Sequence, residues 1–178
     1  MNNRRTGAAF AALIGLAMLG ACNKASAPEP EATPEAAAPA AEEALLPNGL
    51  TAKVQIETRQ AQLKKMGKAA KAISDQLKAG SPDVAAMQAA AASLPVESAG
   101  MEDWFPEGTG PEAGVKTEAL PVIWEDRADF EEKLANFRAA SDELAAIAPG
   151  GDVDAIGAAF KKVGGTCKSC HDKFREDD

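Results

Sequence analysis

Residues 167–171 read Cys-Lys-Ser-Cys-His, and His171 is the only histidine among the 178 residues. Two thiols separated by two residues and followed at once by an imidazole form the pattern that attaches a c-type haem. The sulfurs can bond to the two vinyl groups while the imidazole nitrogen serves as axial donor to iron. On a helix turning 100° per residue, Cys167, Cys170 and His171 fall within an arc of about 100°, so all three can address one flat group. Two other chemistries use a CxxC. Structural zinc takes four protein ligands from cysteine and histidine, and no others remain once Cys22 is set aside. A redox dithiol would leave the adjoining histidine without a role. The paired glycines Gly164-Gly165, one turn earlier, should each cost about 1 kcal/mol in a helix relative to alanine. They read as room for a bulky flat group against the backbone. Enzyme chemistry is not expected, because there is no second histidine for acid–base work and no nucleophile with a base beside it.

The elements that must position this motif are helical. Apolar residues recur at spacings of three and four through 51–79 (Ile56, Leu63, Met66, Ala70, Ile73, Leu77). Gly80 reads as the residue just past that helix, with Ser81 as N-cap and Pro82 in the first turn of the next. A second helix is predicted over about 82–94, with Val84, Met87, Ala91 and Leu94 inward and Pro95 ending it. Residues 95–122, rich in Gly, Pro and Glu, read as a long crossover loop anchored by Trp104, Phe105 and Trp124. A third helix is predicted over about 126–147, with Phe130, Leu134, Phe137, Leu144 and Ile147 inward. After the break at 149–151, Asp152 caps a fourth that carries Val153, Ile156, Phe160, Val163, Cys167, Cys170 and Phe174 on one stripe. No useful length alternates with period two. The expectation is an all-α, antiparallel, up-down-up-down four-helix bundle with haem near its last helix.

Ahead of the bundle, residues 1–21 resemble an export signal: Asn2-Asn3-Arg4-Arg5, an apolar run from Ala8 to Leu19, then small residues. Leu19-Gly20-Ala21-Cys22 resembles the bacterial lipobox, which makes Cys22 the lipidated first residue of the mature chain. The alternative is cleavage after Ala25-Ser26-Ala27, which would remove Cys22. Residues 22–46 are dominated by Ala, Pro and Glu and read as a disordered tether. Residues 47–178 suffice for one domain. The expected location is therefore the periplasm, with a membrane reached through the lipid. A net charge of −8 argues against nucleic acid, which needs a basic surface.

Several stretches together resemble the class II c-type cytochromes called cytochrome c′. They are Thr58-Arg59-Gln60-Ala61, Phe105-Pro106-Glu107-Gly108-Thr109, Pro121-Val122-Ile123-Trp124 and Cys167 to Arg175. The similarity covers about residues 50–178, and only seven residues follow His171, unlike small class I cytochromes that carry the motif near their start. The resemblance implies one covalent haem c on Cys167 and Cys170, with His171 as the metal ligand. It implies that Arg59 and Gln60 contact haem propionates, that Thr109 lies near the haem edge and that Arg175 stands beside the proximal pocket. It also implies a periplasmic homodimer through the first two helices. Leu63 occupies the position over the distal iron face, where six-coordinate low-spin relatives place methionine. Leucine there implies five-coordinate iron under an apolar lid that favours NO and CO over dioxygen, with single-electron transfer as a companion role. Met66, one turn further along, is the rival sixth ligand of a dedicated electron carrier, or else an ordinary core methionine. A haem-free, lipid-tethered structural or metal-handling protein is the reading from another class. No redox partner is identified by the sequence.

Overall fold

A computed structural model describes residues 44–176, which lie within one compact unit, Ala41–Asp178. The export signal, Cys22 and the tether as far as residue 43 lie outside the described residues. Five α-helices follow in order: α1 (Ala52–Leu77), α2 (Val84–Glu97), the single-turn α3 (Val122–Glu125), α4 (Arg127–Ile147) and α5 (Val153–Phe174). The four long ones make the bundle, and among the described residues there is no extended strand.

Side-chain caps set three of the helix starts. Thr51 accepts from the Val54 amide, Asp83 from that of Ala86, and Asp152 from those of Asp154 and Ala155. Short links then fold neighbouring helices back on each other. The Asp83 amide donates to the Gln76 side chain across the α1–α2 turn, and Gln88 on α2 donates to the Ala148 carbonyl at the far end of α4. Lys173 near the end of α5 meets Asp126 and Asp129 at the start of α4. Each pairing joins the beginning of one helix to the end of its neighbour, which is the antiparallel arrangement. Gly151, at φ 72°, takes the left-handed turn that ends the α4 segment and admits α5.

Burial follows the apolar stripes. Ile56, Ile73, Met87, Leu94, Phe130, Leu144, Ile156 and Val163 are fully enclosed. Phe130 sits edge-on to Phe105 (5.0 Å) and to Phe174 (5.1 Å), binding the crossover loop, α4 and α5 at one end of the core. The Trp124 indole donates to the carbonyls of Phe105 and Pro106 at 3.2 and 3.1 Å, so the aromatic anchors expected of the loop are in place.

Four local expectations are corrected. Helix α1 stops at Leu77 with Lys78 as its cap, and Gly80 is not left-handed. Asp83, not Ser81, caps α2, because its carboxylate reaches the Ala86 amide. Pro95 does not end α2, which runs on to Glu97. A proline so near a helix end forfeits only one backbone bond, its fixed φ suits the helix, and the next turn closes with Ser98 N–H on the Leu94 carbonyl. Residues 122–125, which span the predicted end of the loop and the gap before the next predicted helix, form α3, started by Pro121 at φ −54° and held by buried Ile123. At the N-terminal edge, ordered structure begins before residue 47: Leu45 bridges to Thr51 and the Leu46 amide donates to the Leu50 carbonyl.

Candidate functional site

The CxxCH motif occupies the last two turns of α5. Cys167 and Cys170 are half-buried free thiols at the margin of the core, and no disulfide joins them. Burial pushes both thiols up, Cys170 to about 11 with a further contribution from the neighbouring Cys167. Both are therefore protonated at neutral pH. His171 lies on the exposed side of the same turn. The protein behind it and the Arg175 guanidinium one turn on hold its imidazole below the ordinary histidine value, so the ring is neutral at pH 7 with a nitrogen lone pair to give. Among the described residues, no three His, Cys, Asp or Glu side chains converge on a point that could hold a bare metal ion.

Helix α5 packs extensively along α4, whereas α1 and α5 touch at few points. Leu63 of α1 is 37% exposed although it belongs to that helix's apolar seam. Met66, three residues on, is 8% exposed and embedded in the core with Ile73 and Met87. Gly164 and Gly165 are exposed, and a methyl group added at either would meet nothing within 4 Å. Two sulfurs one turn apart and a neutral imidazole on the same helix are the donor set that a covalently held porphyrin requires, so these residues fit the group.

The surrounding loop is fastened to both helices. Arg59, 2% exposed, donates through Nη1 to the Thr109 hydroxyl at 2.8 Å. Its Nη2 donates to the Thr109 carbonyl at 2.7 Å and to the Thr117 hydroxyl at 2.8 Å. The guanidinium also lies 4.6 Å from the centroid of the Phe105 ring. Burial lowers its pKa to about 10, opposed by the Glu112 carboxylate. Arg59 is thus a buried cation. Gln60 donates to the Lys116 carbonyl at 2.9 Å. Thr109 is fully buried and its hydroxyl donates in turn to the Pro106 carbonyl at 2.7 Å.

At its other end the loop pairs with the residues just after the motif. Ala119 bridges to Arg175, the Leu120 amide donates to the Phe174 carbonyl, and the Glu176 amide donates to the Glu118 carbonyl. Arg175 Nε donates to the Glu118 carboxylate at 2.7 Å. Thr117, Glu118 and Lys116 carried no signal in the sequence. They are ordinary polar residues of a Gly/Pro/Glu-rich stretch, and only the folded loop gives them partners. A separate cleft of about 300 Å³, lined by Lys133, Asn136, Lys162, Gly165, Thr166 and Ser169, opens on the α4 side of α5. By helical position its α5 residues lie away from the His171 flank.

The cytochrome C′ family profile matches residues 54–175, from the first turn of α1 to the strap beyond the motif. The chain belongs to the cytochrome c′ family. The cytochrome c′ of Rubrivivax gelatinosus is 46% identical over 69 residues, 39% of this chain and 54% of that protein. The chain spans about half the length of the first curated relatives it matches. The cytochrome c′ of Pararhodospirillum photometricum is 39% identical over 124 residues, 68% of this chain and 95% of that protein. Among solved structures, a cytochrome c′ described as having an unusual ligand-controlled dimer dissociation superposes with a TM-score of 0.65 at 33% identity, covering 72% of this chain and 99% of that one. The nitric oxide complex of a leucine-to-alanine variant of cytochrome c′ from Alcaligenes xylosoxidans gives 0.64 at 31% identity, covering 71% and 97%. Family membership makes the protein a c-type haem protein, and the four-helix bundle is that of its structural neighbours.

Proposed function

We propose that this cytochrome c′ holds its haem through thioethers at Cys167 and Cys170, with His171 as axial ligand and Leu63 over the opposite face. Bound haem supplies an iron that takes up one electron or one diatomic molecule. His171 contributes a neutral imidazole nitrogen, and Arg175 beside it discourages protonation of that ring. Leu63 offers neither a lone pair nor a hydrogen-bond donor, so the distal side stays open to NO and CO and gives dioxygen no polar support. The nitric oxide complex of a leucine-to-alanine variant of the Alcaligenes relative supports NO as a ligand of the haem.

The observation that carries it is the contrast between two side chains three residues apart. Met66 is committed to the core, whereas Leu63 stands half-exposed on α1. The six-coordinate alternative would need Met66 to leave a packed interior, at a cost of about 2–5 kcal/mol by analogy with removing a core methionine. Arg59 and Thr109 act by holding the crossover loop as a wall of the site, and Gln60 fixes the same loop through Lys116.

Around this domain (47–178) the reading places an export signal at 1–21, a lipid on Cys22 and a tether over 22–46, delivering the protein to the periplasmic face of a membrane. Among the described residues no helix is long and apolar enough to cross one. A homodimer through α1 and α2 is the expected assembly, supported by the dimer named for one structural neighbour. The role is electron transfer and gas binding, not enzyme catalysis. The ferric optical spectrum tests the coordination: high-spin bands are expected, and a low-spin spectrum with a methionine–sulfur band in the red would overturn it.

A further inference from the structure

Arg175 closes α5 as its C-cap, in extended conformation at φ −122° and ψ 138°. The helix therefore does not aim its side chain, although the residue follows soon after His171. The crossover loop does. Thr117 is pinned through its hydroxyl, which accepts from Arg59 Nη2 at 2.8 Å and from the Ala119 amide at 3.2 Å. Next along the loop, the Glu118 carbonyl accepts from the Glu176 amide, Ala119 bridges to Arg175, and the Leu120 amide donates to the Phe174 carbonyl. The Glu118 backbone is thus fixed from both helices, and its carboxylate accepts from Arg175 Nε at 2.7 Å. The Arg175 and Glu118 side chains are 38% and 49% exposed, and an ion pair so open to water adds little to stability. What this one fixes is the place of a charge. Burial and then the Arg175 guanidinium lower the pKa of the His171 imidazole, with Asp172 and Glu118 opposing, so the arginine charge is felt at the ring.

We propose that Glu118 is a positioning residue for the haem site, holding the Arg175 guanidinium beside His171 and so raising the reduction potential of the iron. The proposal rests on the haem reading above. A fixed cation beside the axial ligand favours the less positive ferrous state over the ferric. The Glu118 carboxylate acts on the iron in two opposed ways. Its own charge favours ferric iron, whereas its hold on Arg175 favours ferrous iron, and the hold prevails. Ferric iron takes up one electron and becomes ferrous, and no bond of the protein is made or broken. Arg175 stays protonated throughout, as arginine does at neutral pH.

The test is the reduction potential of mature holoprotein at pH 7, measured at an electrode that supplies the electron, for wild type, Glu118→Gln, Arg175→Gln and the double variant. Glu118→Gln shifts the ferric–ferrous equilibrium at least threefold toward ferric, a fall of about 28 mV at 59 mV per tenfold for one electron. A carboxylate acting only through its own charge would shift it the other way when removed. In the Arg175→Gln background the same substitution raises the potential or leaves it unchanged. A fall of less than threefold, no change, a rise, or a fall that persists without Arg175 overturns the proposal. Hydrogen exchange of the same proteins reads the strap without reference to iron. The Leu120 and Glu176 amides keep their protection in Glu118→Gln, and losing it would make the effect one of strap opening, which also overturns the proposal. Resonance Raman spectra of the ferrous wild type report separately on the haem reading, through an iron–imidazole stretching band that His171→Ala abolishes. A wild type without that band overturns the axial assignment and this proposal with it, whereas the band together with unmoved potentials overturns this proposal alone.

Discussion

Arg59 gives both of its terminal nitrogens to one residue, Thr109, donating to the hydroxyl at 2.8 Å and to the carbonyl at 2.7 Å. A buried charge of this kind persists only while its donors are satisfied. Thr109→Val keeps the shape and removes an acceptor, so it should cost about 1–3 kcal/mol. Thr117→Val, which removes the third acceptor, should fall in the same range. Urea unfolding of the holoprotein measures both, and values within about 0.5 kcal/mol of wild type for both variants would show that the clamp is not what holds the loop.

Leu63 and Met66 should respond oppositely to truncation. Met66→Ala opens a cavity in the core and should cost about 2–5 kcal/mol while leaving CO association unchanged. Leu63→Ala, at a half-exposed site, should cost less stability and speed CO association. Flash photolysis beside thermal unfolding separates the two, and unaltered CO rates in Leu63→Ala would remove that residue from the distal face.

His171→Ala removes the axial donor while leaving both sulfurs. The variant should retain covalent haem, because attachment uses Cys167 and Cys170, but lose the imidazole-dependent spectrum. A visible spectrum unchanged by this substitution would assign the axial bond elsewhere.

The end of α5 is tied to α4 by Lys173, which meets Asp126 and Asp129. The hydrogen bond from Lys173 holds the Asp129 carboxyl below the usual carboxylate value, with Lys133 acting in the same direction. A carboxyl depressed in the folded state stabilises that state above its unfolded pKa of about 3.9 and loses the contribution as pH falls through the lower folded value. Hydrogen-exchange protection in the last turn of α5, taken relative to the intrinsic rate at each pH, should therefore be steady above about pH 5 and fall below about pH 4. Asp129→Asn should remove that acid-dependent step, and an unchanged profile in the variant would show that the clasp does not report on Asp129.

Much of this was legible in the chain because one periodicity dominates it. The long helices follow stripes such as Phe130, Leu134, Phe137 and Leu144, which the structure buries, and the Asp152 cap is visible as a residue type at a break. The irregular segment was not legible in the same way. Nothing local distinguishes a proline that stops a helix from one tolerated in its last turn, as at Pro95, and α3 is too short to show a period. At the site, the CxxCH motif is contiguous and could be read directly. Arg59 and Thr109 could be named, but their mutual bond spans fifty residues. The strap joining Glu118 to Arg175 exists only once the loop has folded back.

The central claim is covalent attachment at two sulfurs, and acid–acetone extraction of the mature protein tests it most directly. In the wild type the haem should stay with the precipitated polypeptide, and in a Cys167→Ser/Cys170→Ser variant any haem should pass into the solvent. Wild-type haem that extracts freely would contradict the account.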